Sequence, residues 1–202
     1  MSGKHVTGRA GRLALSARLA TSRRAVELLD RKQRALAAEL ERLELAAARS
    51  AEAFEDRAGT AAGWLRRSTA LDGQDRLTAA VAGPGAEAAI EYDTTMGVRH
   101  PIQTAVTFAD GEPAGSSALV FMIRAHREAL AAAVQVAAAQ RGVALLTAEL
   151  SLTRQQQRAL EARWIPRLEA QLAELEQRLD EVEREENLRL RWAAAHPAGE
   201  DR

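Results

Sequence analysis

Residues 15–43 read LSARLATSRRAVELLDRKQRALAAELERL, and their spacing decides the fold. Counting alternately four and three from Leu15 reaches Leu19, Ser22, Val26, Leu29, Gln33, Leu36, Leu40 and Leu43, then Ala47, Ser50 and Phe54. Nine of these twelve positions are apolar, and the register never slips. Apolar residues about every 3.5 positions make a narrow seam for one partner helix, not the broader stripe of a helix in a globular core.

A second seam runs through residues 146–182: Leu146, Leu150, Thr153, Gln157, Leu160, Trp164, Leu168, Leu172, Leu175, Leu179 and Val182. Its alternation is broken once, by extra four-residue steps around Pro166. An inserted four-residue step unwinds a supercoil locally, and a proline removes one backbone hydrogen bond. A bent or loosened helix is predicted there, rather than two separate helices.

Composition agrees. The chain has 202 residues, with 28 basic and 28 acidic side chains, 47 % hydrophobic residues and only 3 % aromatics. That is too apolar for a disordered chain and too poor in rings for a large compact core. Cysteine is absent, which removes disulfides, thiolate metal sites and cysteine nucleophiles. The longest uncharged run, Ala129 to Gln140, falls short of the ~20 apolar residues of a membrane span, and Lys4 precedes no signal-like apolar run. A soluble, cytoplasmic chain is expected.

Composition also divides the sequence. Residues 1–71 are expected to form an N-terminal coiled-coil helix and 116–195 a C-terminal one. Residues 72–115 form a middle insert, and 196–202 a disordered tail. As one helix, residues 9–71 would extend about 95 Å and residues 116–192 about 115 Å, too long for a globular domain of this mass. The helices must therefore pack lengthwise. Direction follows from charge. Residues 1–34 carry nine basic side chains against two acidic ones, whereas residues 174–186 carry seven acidic against two basic. An antiparallel hairpin of helices sets these ends side by side; a parallel homodimer would stack like on like. The fold class is thus all-α, a long antiparallel two-helix coiled coil with a small insert.

In the insert, Ala89 to Thr94 and Thr104 to Phe108 suit two strands with Met96-Gly97 turning between them, a short β-hairpin. Gly83-Pro84-Gly85 reads as a turn. Gly59 and Gly63, each ~1 kcal/mol worse than alanine inside a helix, mark a place where the first helix is expected to bend or end early. Ser116 or Ser117 is the expected N-cap of the last helix.

No catalytic constellation emerges. His5, His100, His126 and His196 are scattered, and none stands at metal-ligand spacing from a carboxylate. Gly3-Lys4 lacks the strand and the earlier glycine of a P-loop. The glutamates of 174–186 read as a solvated helix face. The basic N-terminal stretch could neutralise phosphates, but the acidic C-terminal helix supplies its counter-charge and no aromatics interleave for stacking. No catalytic residue, cofactor, metal or nucleic-acid partner is expected. An adaptor or scaffold coiled coil is the alternative to the reading that follows.

Two stretches and a turn resemble a known family. Leu13, Leu15 and Leu19, then Leu28-Leu29, Lys32 and Leu36, form the first. Thr153-Arg154, Ala159-Leu160-Glu161, Ile165-Pro166-Arg167-Leu168-Glu169, Glu183-Arg184-Glu185-Glu186 and Arg189-Leu190 form the second. Met96-Gly97-Val98 followed by Pro101 is the turn. Together they are similar to the D subunit of the V-type and A-type rotary ATPases and ATP synthases, in order and spacing along the whole chain. The chain departs from that pattern at Ala25, where family members usually have glycine, and at Gln156-Gln157-Arg158, where they have Arg-Val-Asn.

The resemblance implies a non-catalytic central rotor stalk. Its paired termini would enter the hexamer of catalytic A and B subunits. Its insert would lie near the F subunit of the stalk and the subunit seating the stalk on the proteolipid ring. Such a chain is peripheral on the cytoplasmic face and couples ATP hydrolysis or synthesis to ion translocation. The resemblance also implies that a hairpin from Ala89 to Val98, with Ile90, Tyr92, Met96, Gly97 and Val98, stimulates hydrolysis. The seam residues expected to hold the shaft together are Leu15, Leu19, Val26, Leu29, Leu36, Leu40, Leu43, Leu160, Trp164, Leu168, Leu172, Leu175, Leu179 and Val182.

Overall fold

The computed structural model describes residues 8–81, 85–109 and 115–196. In chain order the elements are α1 (Gly8–Asp72), α2 (Gln74–Val81), β1 (Glu87–Thr95), β2 (Val98–Thr107), α3 (Ser117–Ala159), a π-helical turn (Leu160–Trp164) and α4 (Ile165–Ala195). The architecture is two long helical segments with a small antiparallel sheet between them in sequence. The tail expected beyond His196 and the turn expected at Gly83-Pro84 lie outside the described residues.

α1 does not end early. It passes through both glycines to Asp72. Ala61, between them, is 3 % exposed and clusters with Ala125 and Ala129 of α3, flanked by Trp64. That tertiary contact offsets the poor helix propensity of two glycines. The helix stops at Gly73, whose φ of +77° and N–H bond to the Thr69 carbonyl form an αL cap. A second helix, α2, follows at once, inside the stretch whose composition reads as an irregular insert.

Asp72 also clasps the start of α3. Its Oδ2 accepts hydrogen bonds from Ser68 Oγ at 3.2 Å and Ser116 Oγ at 2.5 Å. Ser116 Oγ in turn accepts the Leu119 N–H at 3.2 Å, which makes Ser116 the N-cap. A carboxylate beside that helix start complements its positive end.

The chain packs as two compact units. The first comprises the described residues of Met1–Arg31 with those of Thr153–Arg202, and the second comprises Lys32–Leu152. In the first, Leu15 and Leu19 of α1 bury with Leu168 and Leu175 of α4, flanked by Ile165, Leu172 and Leu179. Arg9 meets Glu183 at 3.0 Å and Arg23 meets Glu169 at 2.8 Å. A 14-residue step forward along α1 therefore matches a 14-residue step back along α4, two heptads of constant antiparallel register. These exposed pairs set direction and contribute little stability.

In the second unit, Leu36 and Leu43 of α1 bury with Leu146 and Leu150 of α3, and Lys32 meets Glu149 at 2.5 Å. The alanine cluster around Ala61 then brings the two helices close. Trp64 and Phe121 stack with ring centroids 4.8 Å apart. Within Ser117–Ala195 an 18-residue stretch reaches a mean hydropathy of 1.5, long and apolar enough by composition to cross a bilayer. A count of uncharged residues misses this stretch because Arg141 interrupts the apolar run that follows Glu128. Alanines 125, 129 and 132, all buried, give α3 a small-residue face there, against which α1 lies at Ala61.

The interruption expected around Pro166 takes a definite form. The Ile165 N–H bonds the Leu160 carbonyl, five residues back. This π turn holds one extra residue just where Pro166 has no N–H to offer Ala162.

Two stability predictions follow from this packing. A Cβ added at Gly59 or Gly63 meets nothing within 4 Å, so Gly59→Ala and Gly63→Ala should each raise stability by about 0.5–1 kcal/mol in urea titrations. Unchanged or lowered stability would show that α1 is not helical through this stretch. Leu175→Asp places a carboxylate at a position 6 % exposed and should cost roughly 3 kcal/mol or more. Far-UV circular dichroism should lose helicity while β-hairpin amides keep their exchange protection; unchanged melting would contradict the seam.

Candidate functional surfaces and family relationship

The seam residues differ in burial. Leu36 is fully enclosed, and Leu15, Leu19, Leu43, Leu168 and Leu175 are buried. Val26, Leu29, Leu40, Leu160, Leu172 and Leu179 are half-buried. Two positions depart from the expectation: Trp164 is 46 % exposed and Val182 is 50 % exposed. Trp164 lies in the π turn, where a wider winding carries it off the heptad seam. Val182 precedes Glu183, the partner of Arg9 in the first described turn of α1. Beyond it, residues 183–195 of α4 are exposed throughout.

The second surface is the β-hairpin, strands β1 and β2 in antiparallel register from Glu87–Thr107 to Thr95–Val98. Met96 with φ +50° and Gly97 with φ +87° form its two-residue turn. Positive φ at both central positions matches the twist of the flanking strands. Between Glu91 and Tyr92 the register shifts, leaving Ile102 as the extra residue of β2 beside Pro101, a position where a missing N–H costs no ladder bond.

One side of the hairpin is anchored. Val98 packs on the Leu36–Leu146 cluster. His100 is completely buried, with Nε2 3.2 Å from Thr95 Oγ1 and 3.9 Å from Glu39 Oε1, and Nδ1 3.4 Å from the Pro101 carbonyl. Gly142 of α3 permits this approach. A Cβ there would lie 3.2 Å from Leu43 Cδ1 and 3.6 Å from the Pro101 oxygen. The other side faces outward: Ile90, Tyr92 and Met96 are exposed, and the Arg99 guanidinium sits 4.2 Å above the Tyr92 ring.

In the sequence His100 reads only as solvated or packed, and neither Asp72 nor Gly142 stands out. Asp72 does have a signal, a carboxylate next to a helix-ending glycine. His100 and Gly142 have none, because their roles depend on which helix the hairpin lies against.

A third surface lies along the π turn. Leu29, Ala159, Leu160 and Trp164 line an open, mainly apolar groove of about 550 Å³, with Gln156, Arg163 and Arg167 at its edge.

The model of the ATP synthase D-subunit family matches residues 12–195. This chain belongs to the ATP synthase D-subunit family. It is 31 % identical to the D subunit of a V-type ATP synthase from Anaeromyxobacter dehalogenans, covering 95 % of this chain and 96 % of that one. It is 30 % identical to the D subunit of the V-type ATP synthase from Thermus thermophilus, over 86 % of this chain and 80 % of that one. The D subunit of an A-type ATP synthase from Thermococcus kodakarensis is 33 % identical over 121 residues, 55 % of this chain and 56 % of that one. Family membership thus spans both helical segments and the hairpin.

The anchored side of the hairpin has a pH signature. The hydrogen bond from Arg42 holds the Glu39 carboxyl below its ordinary value of 4.5, against an opposing effect of partial burial. A lowered folded-state pKa means that the ionised carboxylate's contribution is complete above the ordinary value and is lost as pH falls through the lowered one. Glu39→Gln should therefore flatten the stability loss below pH ~4.5 in urea titrations, while lowering stability near neutrality. An acid limb identical to the parent's would show that this pair does not couple to folding.

Proposed function

We propose that this chain is the central rotor stalk of a V/A-type rotary ATPase or ATP synthase. The observation that supports this most is the antiparallel pairing of α1 with α4, held in one register over two heptads and joined by cross-helix ion pairs. Torque transmission needs a torsionally stiff element whose surface lacks threefold symmetry, so that three equivalent catalytic sites differ at any instant. Two helices zipped along a leucine seam meet both needs without any chemistry of their own.

In this reading the chain is not itself an enzyme. ATP is made or hydrolysed by the A and B subunits around the α1–α4 pair, and rotation couples that reaction to ion movement through the membrane ring. Residues 72–115 form the segment directed away from the hexamer, near the stalk's F subunit and the subunit seated on the proteolipid ring. The complex places the chain on the cytoplasmic face as a peripheral component. The seam residues from Leu15 to Leu43 and from Leu160 to Leu179 act together to keep the shaft stiff. The exposed face of the hairpin, with Ile90, Tyr92 and Met96, is its regulatory contact, anchored to the coil through Val98.

The test is assembly. Purified chain mixed with A/B hexamer, with and without the F subunit, should co-elute as one complex on size exclusion and should restore the ATP hydrolysis pattern of the intact complex. Failure to bind the hexamer under both conditions would refute the rotor reading.

A further inference from the structure

The groove at the π turn has features the shaft itself does not use. Its floor is apolar, built from Leu29 of α1 with Ala159 and Leu160 of the opposite segment. Trp164 stands beside it, nearly half exposed. A tryptophan left open to water in a coil this poor in aromatics contributes less to folding than it would in the seam. Arg163 and Arg167 flank it, and among the described residues neither is matched by a carboxylate at ion-pair distance. The surroundings share their sign. Residues 18–31 and 154–169 carry eight arginines against Glu27, Asp30, Glu161 and Glu169, the last of which pairs with Arg23. Of these carboxylates, Glu161 already accepts a hydrogen bond from Gln157.

An apolar recess, an exposed indole and unmatched guanidinium groups are the ingredients of an interface hot spot, in which an anchor side chain is desolvated and charges around it select the partner. A second copy of this chain would bring the same arginines face to face and is disfavoured. A nucleic acid would use the arginines but not the apolar floor. We propose that this groove docks an acidic protein segment carrying one apolar anchor, contributed by the ring of subunits that surrounds the shaft. This rests on the rotor reading for the partner's identity. The chemistry of the groove stands independently. The π turn makes the site possible, because it swings Trp164 out of the seam and opens the space above Leu29. The groove lies on one face of the two-helix pair, along Leu29 and residues 156–167, so it engages one member of a threefold ring at a time.

Two arms test this with the full-length chain. The first is chemical. In a Trp64→Phe, Trp192→Phe background, Trp164 is the sole indole, and its emission is followed during titration with a synthetic helical peptide built of Glu and Leu. A saturable blue shift is expected, weakened about tenfold or more by Arg163→Glu with Arg167→Glu and absent with a Lys/Leu peptide. No shift with the acidic peptide, or an equal shift with the basic one, overturns the proposal. The second arm measures affinity for A/B hexamer at low and high salt. R163E/R167E and Trp164→Ala should each weaken binding by about tenfold, and the double arginine variant should lose much of the salt dependence. The control Arg49→Glu with Arg57→Glu, at exposed arginines of the other unit, should stay within about twofold of wild type. Wild-type affinity in both groove variants overturns the proposal. Peptide binding without any hexamer binding refutes the rotor reading and leaves the groove's acidic preference supported.

Discussion

Everything in this molecule depends on leucines that have only one another to hide against. The chain has too few aromatic residues to build a thick core, so burial must come from a seam one side chain wide. A seam spaced at 3.5 residues can be closed only by another helix lying along it. Leu15 and Leu19 close against Leu168 and Leu175 in one unit, and Leu36 and Leu43 against Leu146 and Leu150 in the other. Alanine governs the remaining contacts, as at Ala61, where small side chains let two backbones approach.

The polar parts of the structure serve that closure. Arg9, Arg23 and Lys32 each meet a glutamate on the opposite segment. The two exposed arginine pairs add little free energy, yet the arrangement makes the antiparallel direction the one in which unlike charges meet. Asp72 shares its carboxylate between Ser68 and Ser116, tying the end of α1 to the N-cap of α3. The β-hairpin is too small to stand alone, since two strands in water are marginal. It is held by His100 and Val98 on one side, and this leaves Ile90, Tyr92 and Met96 exposed on the other. Anchoring and exposure on opposite sides suit an element that must stay attached while it touches something else.

The long helices and the hairpin are legible in the sequence because periodicity and turn chemistry are local signals. The four-three beat reports burial directly, and Met96-Gly97 supplies two residues able to adopt positive φ between strand-like runs. Where the sequence misleads, a non-local contact decides the outcome. Gly59 and Gly63 argue for a break in α1, but Ala61 packed against α3 keeps the helix whole. Trp164 fits the heptad by count, but the π turn beside Pro166 carries it outward. His100 and Gly142 look ordinary in sequence and meet only because the hairpin lies back against α1 and α3.

The most direct test of the central claim is a distance within one molecule. Spin labels at Ala20 and Ala170, both exposed residues beside the Leu19–Leu168 contact, would be measured in a sample diluted with unlabelled chain. Paired helices with axes roughly 8–10 Å apart should give a narrow distribution within about 20 Å. A broad distribution, or one centred several tens of ångströms away, would show that α1 and α4 do not zip together in the same chain.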